Sequence, residues 1–214
     1  KVYLACALYL LIQRAKGLEG LHKSEIKYNP TLVEIYEFIY RFLEQSFGGA
    51  TSVIIVGVLE KLFYSTQTQK YKVAVHKTNQ SGASSKEVGD VDIYIGNSFQ
   101  YAIEVKDKRF NAHDVGHAFE KMVSSKAKKG QFIYGPHVAF KEDPVLAKIK
   151  EFEQKGFTVM FSDIYTYSRF MLFKMGLVDK KVFAKTVIDV MIEINANDSV
   201  KDWVQSLLSE LHWK

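Results

Sequence analysis

The sequence predicts an α/β fold in which a mixed central sheet is flanked by helices, with further helical segments at both ends. Three observations predict it. Residues 90–95 and 100–106 alternate between polar and apolar side chains, as strands do, and the four residues between them fit a hairpin connection. Strand-like and helix-like segments then alternate along the chain, which indicates parallel crossovers and an αβββαβ order in the core. Residues before 50 and after 164 carry helical periodicity.

The composition is that of a globular protein. The 214 residues, 47% hydrophobic and 25% charged, suffice for one domain with a sizeable core. The single cysteine, Cys6, excludes an internal disulfide and a thiolate metal site, and it favours a reducing, cytoplasmic location. The net charge of +5 permits binding to nucleic acid without requiring it. The apolar run 2–12 is shorter than the roughly 20 residues that span a bilayer, so we expect no membrane segment there and interpret it as a core helix whose start has been trimmed.

A capping signal marks the next predicted helix. Thr31 is followed three residues later by Glu34, which is the spacing of a capping box, and apolar residues recur with helical period over 32–47. Gly48-Gly49 ends this helix. The apolar stretch 52–64 has helical length, but its β-branched start leaves a strand as an alternative for its first half.

The remaining segments complete the order. Helices are predicted for 112–128 and for a segment that starts at Asp143-Pro144 and stops at Gly156. The chain after Ile164 is predicted to be helical, with breaks near Gly176 and at 195–198. The predicted strands are 71–77, the hairpin pair, 131–134 and 157–161. We expect one domain over 1–214, made of a helical N-terminal part (1–50), an α/β core (51–163) and a helical C-terminal part (164–214).

The hairpin gathers charged side chains on one face. If Asp92 lies opposite Glu104, then Asp90 lies opposite Lys106 and the other face is apolar throughout, whereas a one-residue slip would mix the two sets. Opposed carboxylates about 4.5–5.5 Å apart at Cβ repel unless a cation lies between them. Mg²⁺ suits such a site because it prefers oxygen ligands and keeps waters that a substrate phosphate can replace. Lys106 would orient or help to deprotonate the attacking water, or stabilise the charge on the phosphorane.

Asp92, followed by Glu104-Val105-Lys106 on the next strand, resembles the PD-(D/E)xK nuclease superfamily, and the order of elements over 52–134 resembles its αβββαβ core. The resemblance implies Mg²⁺-dependent cleavage of phosphodiester bonds in DNA. By similarity, Asp92 and Glu104 are metal ligands, the carbonyl of Val105 is a further ligand, and Lys106 is the catalytic lysine.

Two positions extend or depart from that pattern. Many members carry a glutamate on the helix before the strands, and Glu60 is the candidate for this catalytic acid. The proline that precedes the aspartate in the family is replaced by Val91. Within the superfamily, the run from Ser81 to Lys108 is similar to type II restriction endonucleases, the SacI-like group among them, which implies an enzyme that cuts double-stranded DNA at a short site.

Other interpretations remain open. The charged face has an alternative explanation as structural cross-strand ion pairs, in which Asp90 is the partner of Lys106 and not a helper of Asp92. A repair or recombination nuclease that recognises DNA structure would have a basic channel and no loop that enters a groove. A DNA-binding module with the same fold would bind DNA with Mg²⁺ present and leave it intact.

Contacts to DNA are predicted at three places. Lys108 and Arg109 follow the second hairpin strand, and His113 and His117 share a helix face four residues apart. The loop before the acidic strand is rich in donors and acceptors that suit base edges and phosphates: Lys77, Asn79, Gln80, Ser81, Ser84, Ser85 and Lys86. Each place has a plain alternative as a solvated loop or polar helix face. The dense aromatic residues after 164 predict packing or a homodimer interface, and a two-fold dimer would match a palindromic site.

Overall fold

The computed structural model describes residues 31–76, 87–176 and 178–211. The predicted first helix, which starts in the apolar run 2–12, lies outside these ranges. The described part contains seven α-helices and a five-stranded sheet. The elements in chain order are α1 (Leu32–Phe42), a 3₁₀ turn (Phe47–Gly49), α2 (Ala50–Ser65), β1 (Tyr71–Val75), β2 (Val91–Ile95), β3 (Ser98–Lys106), α3 (Ala112–Ser124), β4 (Lys129–Tyr134), α4 (Glu142–Gln154), β5 (Thr158–Asp163), α5 (Ile164–Met175), α6 (Lys180–Glu193) and α7 (Asp198–Glu210).

The capping box predicted for the first described helix is confirmed. The Thr31 hydroxyl accepts the N–H of Glu34 at 3.3 Å, and the Glu34 carboxylate accepts the N–H of Thr31 at 2.6 Å. Helix α1 ends at Phe42, about one turn earlier than predicted. Buried residues of α1 recur at helical spacing, as the periodicity indicated.

The ambiguous apolar stretch is a helix, α2, and the strand alternative is excluded. Its β-branched run, Val53–Val56, is fully buried because helices and sheet surround it. A helix that is apolar on all sides shows no amphipathic period, which explains why strand and helix could not be separated. The segment Phe47–Ser65 is long and apolar enough to cross a membrane, yet 67% of its most apolar window is buried inside the fold, as in the core helix of a soluble protein.

The sheet is mixed, as predicted, with the order β1-β2-β3-β4-β5. The first three strands pair antiparallel as a meander, and β3, β4 and β5 pair in parallel. Helices α3 and α4 connect the parallel strands. The carboxyl ends of β3, β4 and β5 therefore meet at one edge of the sheet.

Two apolar cores lie on the two faces of the sheet. One is formed by α1, α2 and α5–α7 against side chains such as Ile93, Ile103 and Val105. The other is formed by α3 and α4 against Ala102 and Phe132. The predicted alternation of faces is confirmed, since odd-numbered residues of β3 from Tyr101 onward face the first core.

The C-terminal region is helical with the predicted breaks. Helix α5 ends at Met175, and the next residue, Gly176, has φ of 72°. Helix α7 begins after Asn197, whose side chain accepts the N–H of Val200. Some of its aromatic residues are packing residues, since Tyr167 and Phe183 are almost fully buried.

The predicted hairpin register is wrong by two residues. Asp92 pairs with Ala102 and not with Glu104, and Val91 pairs with Ile103. The strands are joined by only two residues, 96 and 97, and a bulge lies where Ile93 and Tyr94 meet β3. Because side chains alternate with period two, a shift of two residues leaves every side chain on its predicted face, so the burial pattern could not detect it.

Candidate active site

Asp90 lies just before β2, where the chain passes very close to β3. Its N–H donates to the carbonyl of Ile103 at 2.9 Å. A Cβ on the preceding residue, Gly89, would lie 2.7 Å from that carbonyl oxygen. Only glycine allows this approach, so Gly89 sets the position from which the Asp90 side chain reaches β3.

Three charged groups meet on β3. The Asp90 carboxylate accepts the main-chain N–H of Val105 at 2.8 Å, and Lys106 Nζ donates to Glu104 Oε1 at 2.5 Å. The side chains of Glu104 and Lys106 are 15% and 25% exposed, so the group opens to solvent. We call Asp90, Glu104 and Lys106 the charged cluster. The corrected register brings Asp90, in place of Asp92, to this position.

The electrostatics of the charged cluster favour a bound cation. Burial, followed by the nearby charge of Glu104, raises the pKa of Asp90 to about 7, against the opposing effects of the Val105 N–H and of Lys106. Burial by itself lowers the pKa of Lys106, but the carboxylates of Glu104 and Asp90 outweigh it and the net shift is upward. The two carboxylates of the charged cluster thus carry more negative charge than Lys106 alone compensates, and Lys121 on α3 is a second cation that acts on Asp90.

Asp92 is fully buried, and its carboxylate accepts hydrogen bonds from other groups of the protein. Oδ1 accepts the N–H of Gly89 at 3.0 Å, and Oδ2 accepts the N–H of Val88 at 3.1 Å and lies 3.0 Å from Nε2 of His76. These bonds hold the segment that leads into Asp90. The geometry therefore makes Asp92 a support for Asp90, and its role as a metal ligand remains a prediction that the structure does not favour.

Glu60 does not join the charged cluster. It lies on α2, and its carboxylate accepts hydroxyl hydrogens from Tyr167 at 2.5 Å and Tyr101 at 3.2 Å. Tyr101 faces the first core. Glu104 lies three residues further along β3, and because side chains of a strand alternate between faces, it faces the opposite side of the sheet. Burial raises the pKa of Glu60 despite both hydroxyls. The geometry makes Glu60 a buried, hydrogen-bonded core carboxyl, and its role as a catalytic acid remains a prediction that the structure does not favour.

The first turn of helix α3 lies near the charged cluster, and the helix carries two exposed imidazole groups. Its N-cap, Asn111, forms a capping box with Asp114, an acid in the first turn of the helix. Asp114 also acts electrostatically on Lys106, so the first turn of α3 lies near the cluster. His113 and His117 are exposed on α3 with parallel rings 6.5 Å apart.

The other predicted DNA contacts divide into two sets. Lys108 and Arg109 are exposed on the loop that follows β3, directly after Lys106. The loop residues predicted to read DNA lie outside the described residues: Lys77, Asn79, Gln80, Ser81, Ser84, Ser85 and Lys86. Their contacts to DNA remain predictions.

The donor set of the charged cluster fits a hard cation better than zinc. Asp90 and Glu104 supply carboxylate oxygens, which Mg²⁺ prefers. Within the described residues, no group of three His, Cys, Asp or Glu side chains is arranged to hold a metal ion. A cation at the cluster would therefore complete its coordination with water, main-chain carbonyls or substrate oxygens, which is usual for Mg²⁺.

Residues 29–136, half of the chain, match the family of the SacI restriction endonuclease C-terminal domain. The chain belongs to this family. No curated protein sequence matches the chain. The matched part of this SacI-type domain runs from α1 to just past β4 and includes the whole charged cluster. As a restriction endonuclease domain, the protein is an endodeoxyribonuclease that binds DNA.

In this SacI-type domain Asp90, and not Asp92, lies beside Glu104 and Lys106, whereas the sequence pattern predicts Asp92 as the metal ligand. The signal that separates them is Gly89, because a glycine directly before Asp90 allows the close approach to β3. The two-residue turn at 96–97 does not set the register by itself, because the bulge where Ile93 and Tyr94 meet β3 shifts the pairing by one more residue.

Proposed function

We propose that this SacI-type domain is a type II restriction endonuclease that uses Mg²⁺ to hydrolyse phosphodiester bonds of double-stranded DNA at a short specific site. The observation that carries the proposal is the approach of Asp90 to Glu104 and Lys106, held by the bond to the Val105 N–H. With Asp90 as the first aspartate, the pattern of the PD-(D/E)xK superfamily is retained, and Gly89 stands where that family has proline.

Asp90 and Glu104 are the residues that would hold Mg²⁺, with the Val105 carbonyl as a further ligand. Bound there, the ion would polarise a phosphoryl oxygen and lower the pKa of a water molecule. The two carboxylates lie beside each other in partly buried surroundings, so removing either leaves too little negative charge to retain the ion.

Lys106 acts on the phosphate as a cation. Its hydrogen bond to Glu104 fixes the ammonium group next to the carboxylates, where the scissile phosphate must lie if it reaches the same ion. A compact ammonium at this position orients the attacking water and stabilises the negative charge that grows on the phosphorus oxygens during attack.

Site recognition and assembly extend the proposal. Lys108 and Arg109 on the loop after β3 and His113 and His117 on α3 are exposed near the charged cluster and would contact the DNA backbone.

A homodimer would supply one active site for each DNA strand. Exposed aromatic side chains on α5, Phe173 at 82% and Phe170 at 50%, are suited to such an interface.

The test is digestion of a fully sequenced viral genomic DNA with Mg²⁺, comparing the native chain with the Asp90→Asn and Lys106→Ala variants. Discrete fragments are expected from the native chain, and a fall of at least about 10²-fold in rate from each variant. Asp202→Asn and Lys185→Ala, the same changes at exposed positions on α7 and α6, should cleave normally. Sequencing of the fragment ends would give the recognition site.

Three results would contradict the proposal in different ways. Intact DNA in the presence of bound protein would indicate a binding module. Cleavage only at junctions or ends would indicate a structure-specific nuclease. Undiminished cleavage by Asp90→Asn and Lys106→Ala would place the chemistry elsewhere.

A further inference from the structure

A groove of about 680 Å³ lies beside the charged cluster, between the loop after β3 (residues 107–111) and the loop after β4 (residues 135–141). Arg109 and His113 line one wall, and Lys141 lines the other. The aromatic rings of Phe110 and Phe140 stack at 4.5 Å and both line the groove. Cationic walls over an apolar floor suit a sugar–phosphate chain.

The two walls are fastened to each other. The N–H of Phe110 donates to the carbonyl of Ala139 at 3.2 Å. The Asp107 carboxylate, with only 1% of its side chain exposed, accepts the main-chain N–H of His137 at 3.0 Å and lies 3.1 Å from Nδ1 of its ring. We call Asp107 and His137 the loop clamp.

Glycine makes the loop clamp possible. A Cβ on Gly135 would lie 2.2 Å from Oδ1 of Asp107, so any larger residue would displace the carboxylate. The N–H of Gly135 also donates to the carbonyl of Lys106 at 2.8 Å. The wall that carries Lys141 is therefore tied to the strand that carries the charged cluster.

The charges of the groove favour an anion. Asp114 is the one acid among its lining residues, and its carboxylate is used by the N–H of Asn111 at 2.9 Å. Glu142 and Asp143, in the first turn of α4, do not line the groove. Lys141 and Arg109 are exposed and belong to no ion pair among the described residues, so both are open to a ligand.

We propose that this groove binds the sugar–phosphate backbone of DNA next to the scissile phosphate, with Lys141 contacting a phosphate from the wall opposite Arg109 and His113. The inference rests on the proposed nuclease function and adds the second wall to the DNA-binding surface. Asp107 and His137 act as positioning residues, because they hold Lys141 at the correct distance from the charged cluster.

The test measures binding of a random DNA duplex of about 30 base pairs over a salt series, in EDTA and in Ca²⁺ so that binding is separated from cleavage. Lys141→Ala should weaken binding about 5- to 10-fold at low salt and reduce the slope of log K against log salt by about 0.9, the loss of one phosphate contact. Lys150→Ala, the same change at an exposed position on α4, the helix that follows Lys141, should leave affinity and slope unchanged.

The role of the loop clamp is tested by combining His137→Ala with Lys141→Ala and measuring DNA affinity. In a His137→Ala background, Lys141→Ala should cost clearly less affinity than in the native chain, because Lys141 is no longer held in place. If the loop clamp serves stability alone, His137→Ala lowers the melting temperature, and the effects of His137→Ala and Lys141→Ala on the free energy of DNA binding add.

The outcomes separate this inference from the proposed function. A native chain that binds DNA but never cuts it contradicts the nuclease proposal and leaves the groove to be judged by the variants. A native chain that cuts and binds, with Lys141→Ala unchanged in affinity and slope or matched by Lys150→Ala, overturns the groove. A native chain that binds DNA in neither EDTA nor Ca²⁺ overturns both.

Discussion

The Asp90 carboxylate accepts the main-chain N–H of Val105 at 2.8 Å, which ties the entry of β2 to the middle of the Glu104-Val105-Lys106 motif. Asp92, two residues later, instead accepts N–H groups from the segment just before Asp90. The two aspartates share a face but have different tasks. Asp90 lies beside Glu104 and Lys106 in the charged cluster, and Asp92 holds the backbone segment that positions Asp90.

Asp92 should be a positioning residue. Asp92→Ala leaves the buried N–H groups of Val88 and Gly89 without their acceptor, and we expect it to lower the free energy of unfolding by about 3–5 kcal/mol. Asp92→Asn keeps one acceptor oxygen and should cost less. Denaturant unfolding measures both.

The cleavage assay distinguishes this role from a purely structural one. Folded Asp92→Asn should need a higher Mg²⁺ concentration for half-maximal cleavage, because Asp90 is less well placed, while its affinity for DNA in EDTA stays normal. Unchanged dependence on Mg²⁺ would mean that Asp92 only stabilises the fold. Asp202→Asn is the matched control on the exposed surface.

Gly89→Ala should disturb the site through the backbone alone. The added Cβ would meet the Ile103 carbonyl oxygen at 2.7 Å, so the chain must move away from β3. We expect a loss of about 1–3 kcal/mol in unfolding free energy and of about 10²-fold in cleavage rate, since a displacement of about 1 Å is costly at a reacting centre. Gly156→Ala, where a Cβ meets no atom within 4 Å but φ is 83°, controls for backbone strain. Equal rates in the two variants would argue against the close approach of Gly89.

Glu60 should make stability depend on pH. Folding raises its pKa above the ordinary value of 4.5, so the folded state holds the proton more tightly than the unfolded chain does. Its contribution to stability is therefore fully present below pH 4.5 and is lost as the pH rises through the folded pKa.

The matched variant isolates this effect. The unfolding free energy of the native chain minus that of Glu60→Gln should fall by about 1.4 kcal/mol for each pH unit between the two pKa values. Glu37→Gln, at an exposed position on α1, should show a pH-independent difference. A flat difference for Glu60→Gln as well would show that folding does not shift this carboxyl.

Local signals predicted most of the fold. The capping box at Thr31, the alternation of β2 and β3 and the break at Gly176 are set by neighbouring residues, and the structure confirms them. The apolar helix α2 was ambiguous because a helix buried on all sides shows no period. Whether these elements form one domain was predicted from length alone and is not decided by local signals.

The site was harder to predict because it depends on contacts between distant residues. A shift of two residues in a hairpin does not change which side chains are buried, so the sequence does not show that Asp90, and not Asp92, lies beside Glu104. Glu60 was assigned to the site because the sequence does not show which face of the sheet its helix covers. The partnership of Asp107 and His137 spans 30 residues and left no pattern in the sequence.

A crystal of the native chain soaked in Mn²⁺, which replaces Mg²⁺ and scatters anomalously, would show whether Asp90 and Glu104 hold the metal ion. We expect an anomalous peak in contact with the carboxylates of Asp90 and Glu104, with Asp92 still bonded to Val88 and Gly89. A peak coordinated by Asp92 or Glu60, or a fully occupied ion that does not touch Asp90, would contradict it.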